Sequence, residues 1–391
     1  MVAMRSLMTR VRGGDLGSLP VIVGLVLICG VFEVLNPTFL SSTNLVNLTM
    51  QCAAVGTIAI GAVLVLLLGE IDLSVGAVSG LSSAILAVGY VQLALPLPLV
   101  IVASIATGAA IGLLFGLLRT RFGVPSFVIT LAGLLGFLGL QLFVLGKTGS
   151  INIPFDSILV QFGQQWFLPP VASYCLVIVA VVVYFVGEFL RARRRAEAGL
   201  IATSLGLVIV RSLGMLVLLG ASTWYLNLAR GVGVMFALFL LLVVMMHLFL
   251  TRTAWGRSVF AVGGNVEAAR RAGIRVNRVY VSVFVLCSSF AALGGLFAAA
   301  RLAAANQGSG GGDTNLTAIA AAVIGGTSLF GGRGSAFSAV LGILVIMSIT
   351  SGLTLLNLDS SVRYMVTGLV LLLAVIIDSL SRRSRAASGR A

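Results

Sequence analysis

An all-α bundle of membrane-spanning helices is the fold class this sequence predicts, on three observations. The chain is 59% hydrophobic and only 9% charged over 391 residues, with a mean hydropathy of +1.15. A soluble domain carries roughly 25% charged residues, and no soluble core of this length hides so much apolar surface. The apolar residues run continuously for about 20 positions instead of alternating over short stretches, which favours helices over a transmembrane barrel. The basic residues gather in short clusters between those runs, as loops on one side of a membrane require.

Twelve apolar segments are expected, near 20–36, 49–69, 73–95, 97–118, 127–145, 171–190, 200–220, 231–250, 279–300, 316–331, 336–356 and 362–380. The first follows Arg5, Arg10 and Arg12, the outline of a signal peptide. It lacks a small-residue cleavage site, so it reads as a retained membrane helix. In the fourth, Gly108, Gly112 and Gly116 recur every four residues and share one face, where another helix can approach closely. The stretch 146–170, with Pro154, Trp166, Pro169 and Pro170, reads as a loop resting at the interface. Arg211 is the basic residue deepest in a segment, which calls for an acidic neighbour or a later start to that segment. The tenth segment is short and ends in glycines, so it reads as a broken or half-spanning helix.

With the N-terminus inside, twenty Lys and Arg residues fall in inside connections and four outside, Arg211 completing the 25. That asymmetry predicts a multi-pass plasma-membrane protein with both termini cytoplasmic. It also accounts for the net charge of +14 without a nucleic-acid partner. Cys29, Cys52, Cys175 and Cys287 each lie in an apolar run without paired spacing, and they predict small buried side chains, not disulfides or metal ligands. With His247 as the one histidine, no metal, cofactor or catalytic triad is expected, and the chain reads as no enzyme. Gly146-Lys147-Thr148 ends like a phosphate loop, but Gln141 stands where its first glycine belongs.

Three strings carry more. Within the inside loop 251–278, Asn265 is a good helix cap and Glu267 suits the first turn. Ala268 and Ala269 propagate a helix with a small face, Arg270 and Arg271 come near its end, and Gly273 stops it. Such a helix, flat on one side at the cytoplasmic surface, suits a groove on a partner. Gly69-Glu70-Ile71-Asp72-Leu73-Ser74-Val75-Gly76 sets two acidic residues beside the membrane. They read either as a helix-capping turn or as part of a gate or pathway. Val323 to Gly332 forms a glycine-rich string, Val-Ile-Gly-Gly-Thr-Ser-Leu-Phe-Gly-Gly.

Glu267-Ala268-Ala269 followed by Gly273 resembles the coupling loop of ABC-importer permeases. The longer string from Gly256 to Ile274 is similar to the monosaccharide branch, especially xylose-type and multiple-monosaccharide permeases. Asn36 to Leu40, Gly69 to Gly76 and Val323 to Gly332 are similar to further signatures of that branch, so the resemblance covers nearly the whole chain. It implies a single type II ABC-importer-like permease domain over 1–391. In that domain 251–278 is the cytoplasmic coupling loop and 171–220 an extra helix pair. Gly264, Asn265, Glu267, Ala268, Ala269, Arg270 and Gly273 would dock on a separate ATP-binding subunit. The resemblance further implies a second copy of the permease and an extracytoplasmic sugar-binding protein. A monosaccharide, a pentose such as xylose favoured, would cross the bacterial inner membrane by alternating access among membrane lipid.

Candidate residues of the path or gate are Glu70, Asp72, Asn306, Asn315 and Thr327. One stretch departs from the family, which usually reads G-E-L-D-A-I-A before the glycine signature. Here Asn315 and Thr317 stand at the two acidic positions, a change that bears on the substrate path. The alternative, an ion-coupled secondary transporter, wants ionisable groups at mid-membrane. Almost all of the eleven acidic residues lie in loops or at segment ends.

Overall fold

The computed structural model of the chain describes residues 19–201, 203–362, 364–366, 368–369, 372–373 and 376. Helix α1 (Leu19–Leu35) turns into α2 (Ser42–Leu67) through Asn36, whose side chain accepts from the Thr38 amide at 3.0 Å and donates to the Leu355 carbonyl at 3.1 Å. α2 begins well before position 49 because its polar first turns are satisfied. Ser41 caps it, and Asn44 donates to the Phe39 carbonyl and accepts from Ser351. Helix α3 (Val75–Ala87) runs on into a π turn at Val88–Gln92 and is followed by α4 (Leu97–Phe122) and α5 (Ser126–Leu145). Next come strand β1 (Ser150–Asn152), α6 (Ile158–Gln164), α7 (Pro170–Glu197), α8 (Leu205–Asn227) and α9 (Val234–Arg252). After these come α10 (Ala254–Gly264), α11 (Val266–Arg271), α12 (Val276–Leu302), β2 (Ala304–Asn306), α13 (Thr314–Ile324) and α14 (Phe337–Leu355).

Among the described residues nine helices are long and apolar enough to cross a membrane, and Pro20–Leu35 and Thr314–Ile324 are apolar but shorter. Together they match every expected segment up to 336–356. The segment 362–380 lies mostly outside the described residues, as do Arg5, Arg10 and Arg12. Nearly all of α2 from Val46 onward is buried, and α12 packs against α2, α3 and α4 at the centre. α7 and α8 pair with each other at the edge, where α8 buries only Val208, Ser212 and Thr223. The extra pair therefore presents apolar faces outward.

Gly108, Gly112 and Gly116 do mark a close helix crossing. A Cβ at Gly112 would come within 2.2 Å of the Phe284 carbonyl on α12, and Gly108 and Gly116 face Ser288 and Val281 in the same way.

Several expectations change. The stretch 146–170 is not a plain loop. β1 pairs antiparallel with β2, with Ile151 opposite Ala305, and α6 tucks Leu159 and Val160 under the end of α12. Prolines and polar residues concealed these buried side chains. Cys175 is exposed on the outer face of α7, unlike buried Cys52 and Cys287, because a lipid-facing position accepts an apolar side chain as readily as a core does. α8 starts at Leu205, which puts Arg211 only two turns in and exposed. The length of its side chain then brings the charge toward the helix end. α13 stops at Ile324, where Gly325 passes close to the Ser338 carbonyl and Gly326 turns to φ +102. The expected half-helix is thus eleven residues long.

Gly112→Val should lower thermal stability by about 1–3 kcal/mol or more through overpacking. Gly136→Ala on α5, where a Cβ meets nothing within 4 Å, should raise it by up to about 1 kcal/mol. Unfolding of both variants in the same detergent reads the contrast.

Candidate coupling surface and translocation residues

α9 ends where Thr253 turns extended, and its hydroxyl accepts from the Gly256 amide at 3.1 Å to start α10. Val259 and Val262 fasten α10 to the bundle, and Trp255 donates to Ser282 on α12 at 2.8 Å. Asn265 ends α10 and caps α11 by accepting from the Ala268 amide at 2.9 Å. Ala269 is buried beneath α11, whereas Gly264, Glu267, Ala268, Arg270, Arg271 and Gly273 are exposed. Glu267 lies 3.5 Å from Arg270 and 3.4 Å from Arg271, contacts too open to hold much energy. Gly273, at φ +82, ends the element. The result is a small-residue ledge with one acidic and several basic groups, projecting from the bundle.

The ledge rests on backbone. A Cβ at Gly263 would lie 1.8 Å from the Leu67 carbonyl and 2.7 Å from the Gly332 amide. The Gly332 amide itself donates to the Leu67 carbonyl at 2.9 Å. Gly331, at φ +83, sits against Gly263 and Gly69. The end of α2, the base of the ledge and the glycine-rich string after α13 therefore meet at one point. Thr327 belongs to that string. It is buried, its amide bonds the Ala322 carbonyl, and its hydroxyl has no partner among the described residues.

Glu70 follows directly. It receives two hydrogen bonds from Arg119 at the end of α4, at 3.0 and 2.8 Å, and another from the Ser126 hydroxyl at the start of α5. The Arg119 guanidinium stacks 5.2 Å from the Tyr280 ring on α12. A cleft of about 300 Å³ opens beside this pair. Glu70 thus ties together α4, α5 and the turn after α2.

Asp72 has a different role. It is 3% exposed, and one carboxylate oxygen accepts from the Ser74 amide at 2.8 Å and the Ser74 hydroxyl at 2.7 Å. The Cys287 thiol donates to the other at 3.7 Å. Burial pushes the Asp72 carboxyl up from its ordinary range, and the Ser74 and Cys287 hydrogen bonds oppose that. The carboxylate closes the turn ahead of α3, so of the two expected roles its bonds are those of the turn.

One turn later the Gly76 amide donates to Asn315 at the start of α13. The glycine-rich chain at 308–312 presses on α3 there, with Gly310 against Gly76 and Gly80. Gln141 on α5 is fully buried and donates to the carbonyls of Asn306 and Ser309, both at 2.9 Å. Asn306 and Asn315 therefore belong to one polar seam along α3, while Glu70 and Thr327 lie at the ledge end. Sequence reasoning missed Gln141, Arg119, Ser126 and Tyr280. A lone amide in the apolar run 127–145 was the available signal for Gln141.

The described residues thus form a multi-span apolar bundle with an exposed short helix between two of the spans. Residues 44–375 match the family described as branched-chain amino acid transport system / permease component. The chain is 39% identical to the xylose transport system permease protein XylH of Escherichia coli (strain K12) over 347 residues, 88% of this chain and 87% of that protein. It is 37% identical to XylH of Haemophilus influenzae (strain ATCC 51907 / DSM 11121 / KW20 / Rd) over 348 residues, 88% and 91% of the two chains. It is 32% identical to the ribose import permease protein RbsC of Bacillus subtilis (strain 168) over 357 residues, 91% of each. No solved structure matches the chain. The chain belongs to this family of ABC-transporter permease components.

Glu70 and Arg119 should show a coupling of about 1–3 kcal/mol in a double-mutant cycle of Glu70→Gln and Arg119→Met, since each single change strands a charge. Thermal unfolding in detergent measures it, and additive effects would mean that the pair is idle.

Proposed function

We propose that this chain is the membrane-spanning subunit of an ATP-driven importer that moves a monosaccharide inward across the bacterial plasma membrane. The observation that carries this reading is the exposed α10–α11 ledge seated on the backbone of Leu67 and Gly332. A separate ATP-binding subunit docks on Gly264, Asn265, Glu267, Ala268, Ala269, Arg270 and Gly273, Ala269 supporting the face from beneath. Two copies of the chain flank the path. When the paired ATPases close, each ledge moves as a rigid body. Its glycine contacts pass that motion to the ends of α2 and α13, and the halves rock between inward and outward access. The sugar is bound and released without bond changes.

A pentose such as xylose is the favoured substrate, because the relatives are named for xylose and ribose transport. Asn306 and Asn315 in the seam along α3 supply amide groups of the kind that recognise hydroxyls, and Thr327 a hydroxyl. Glu70 and Asp72 frame the turn between seam and ledge. An extracytoplasmic sugar-binding protein delivers the substrate to the face formed by 146–170 and 301–315, where β1 and β2 pair. This orientation follows the positive-inside distribution and puts both termini in the cytoplasm. Lipid surrounds the outward faces of α7 and α8.

ATP-dependent uptake in proteoliposomes tests the proposal, with the chain reconstituted beside its ATPase and binding protein. Wild type should accumulate labelled xylose or ribose only with ATP. Glu267→Arg should abolish uptake and release the ATPase on co-purification, while the permease stays folded. Uptake that needs neither ATP nor ATPase overturns the reading in favour of a secondary transporter. Uptake of neither pentose beside that of another monosaccharide overturns only the substrate.

A further inference from the structure

We propose that the cleft between the ends of α7 and α9 is a binding site for the anionic head group of a membrane phospholipid. This cleft, of about 300 Å³, is lined by Arg191, Arg194, Arg195 and Arg252 together with Leu190 and Leu200, and Gly187 opens its floor. Two acidic residues stand nearby, and both are engaged. Glu188 holds Arg191 at 2.6 Å and Glu197 holds Arg193 at 2.8 Å. Arg194, Arg195 and Arg252 have no ion-pair partner among the described residues. Three guanidinium groups sharing one cleft repel each other, and a phosphate oxygen cluster both relieves that repulsion and matches their donor geometry.

The walls select a lipid over a soluble anion. On the α7 side Val183 and Val186 face outward, and on the α9 side Met245, Leu248 and Phe249 do the same. After α7 the chain exposes Leu200 and, at 93%, Ile201. The arginines thus stand next to exposed apolar side chains of both helices, at the point where α7 passes from apolar to charged residues. A molecule with acyl chains lies along those faces while its phosphate enters the cleft, the arrangement expected of basic pockets between membrane helices. An acidic protein surface has nothing to offer the apolar walls. The site involves neither the sugar nor the ledge, and it gives the extra helix pair a task of its own.

Native mass spectrometry of the intact chain in detergent tests this, with cardiolipin, phosphatidylglycerol and phosphatidylcholine added at equal concentration. Wild type should retain the two anionic lipids over phosphatidylcholine. The triple variant Arg194→Gln, Arg195→Gln, Arg252→Gln should bind cardiolipin at least about tenfold more weakly. The same three positions changed to Lys should keep most of the affinity. A charge-matched control, Arg257→Gln, Arg275→Gln, Arg278→Gln, should bind as wild type does. Should the triple variant not fold, Arg252→Gln alone carries the test, with about a fivefold loss expected.

Equal loss in the control, or equal retention of phosphatidylcholine, overturns the proposal. Displacement of cardiolipin by inorganic phosphate at matched concentration assigns the cleft to a free anion instead. Lipid binding unchanged in the triple variant while the ATPase no longer co-purifies assigns it to an acidic protein surface.

Discussion

In hydrocarbon an unpaired peptide group costs several kcal/mol, so a chain can leave the helix at membrane depth only where other protein supplies the missing partners. Two non-helical stretches between helices of this fold are tied to their neighbours in the same way. From Ala303 to Asp313 the chain is not helical, yet several of its carbonyls and amides are engaged. Ile153 donates to Ala303, Gln307 to Gly149, and Gln141 spans the carbonyls of Asn306 and Ser309. From Gly325 to Ala336 the same holds, through Ser328 with Arg333 and Gly332 with Leu67. Both stretches press backbone against backbone, which is why glycine recurs in them. At Gly310 and Gly331 a positive φ and a neighbour inside Cβ distance coincide.

The charges obey the complementary constraint. Ionised groups are expensive within the bilayer, so they pair or move to its edges. The Glu70–Arg119 pair is partly covered, with side-chain exposures of 13% and 30%. It sits where α4 ends, α5 begins and the turn follows α2, so its hydrogen bonds join these three. Asp72, almost fully buried, is tolerated because it accepts three hydrogen bonds within its own turn and from Cys287. Arg270 and Arg271 of the ledge, by contrast, are exposed and make only open contacts with Glu267.

Local signals were legible in the sequence and non-local ones were not. The cap Asn265, the acidic first turn and the stop at Gly273 specify α11 within a few residues, and the structure has it at Val266–Arg271. The small-residue face of Gly108, Gly112 and Gly116 announced a tight crossing, because its period lies within one helix. Nothing in the sequence names α12 as the partner. The link between Gln141 and the carbonyls of Asn306 and Ser309 spans more than 160 positions, and Glu70 finds Arg119 at a separation of 49. Such pairs become visible only when the topology joins them. Apolar runs mark what enters the membrane, yet they do not distinguish protein-facing from lipid-facing positions. Cys175 and Cys52 therefore read alike and sit in opposite environments.

The seam along α3 gives the departure at Asn315 a physical meaning. Its side-chain oxygen accepts from the Gly76 amide, at the helix N-terminus where backbone donors have no partner within α3. A carboxylate there would make the same bond more strongly and gain from the helix dipole. It would also need its charge compensated in a site that is nearly closed. The amide keeps the acceptor and drops the charge, and its second polar atom, a donor, replaces what would have been another acceptor. Thr317, two residues further along α13 and likewise buried, puts a hydroxyl at the other position. The acceptor for the Gly76 amide is kept without a charge. If the seam lines the proposed sugar path, a solute whose hydroxyls donate to carboxylates in an acidic seam would here meet groups that both donate and accept.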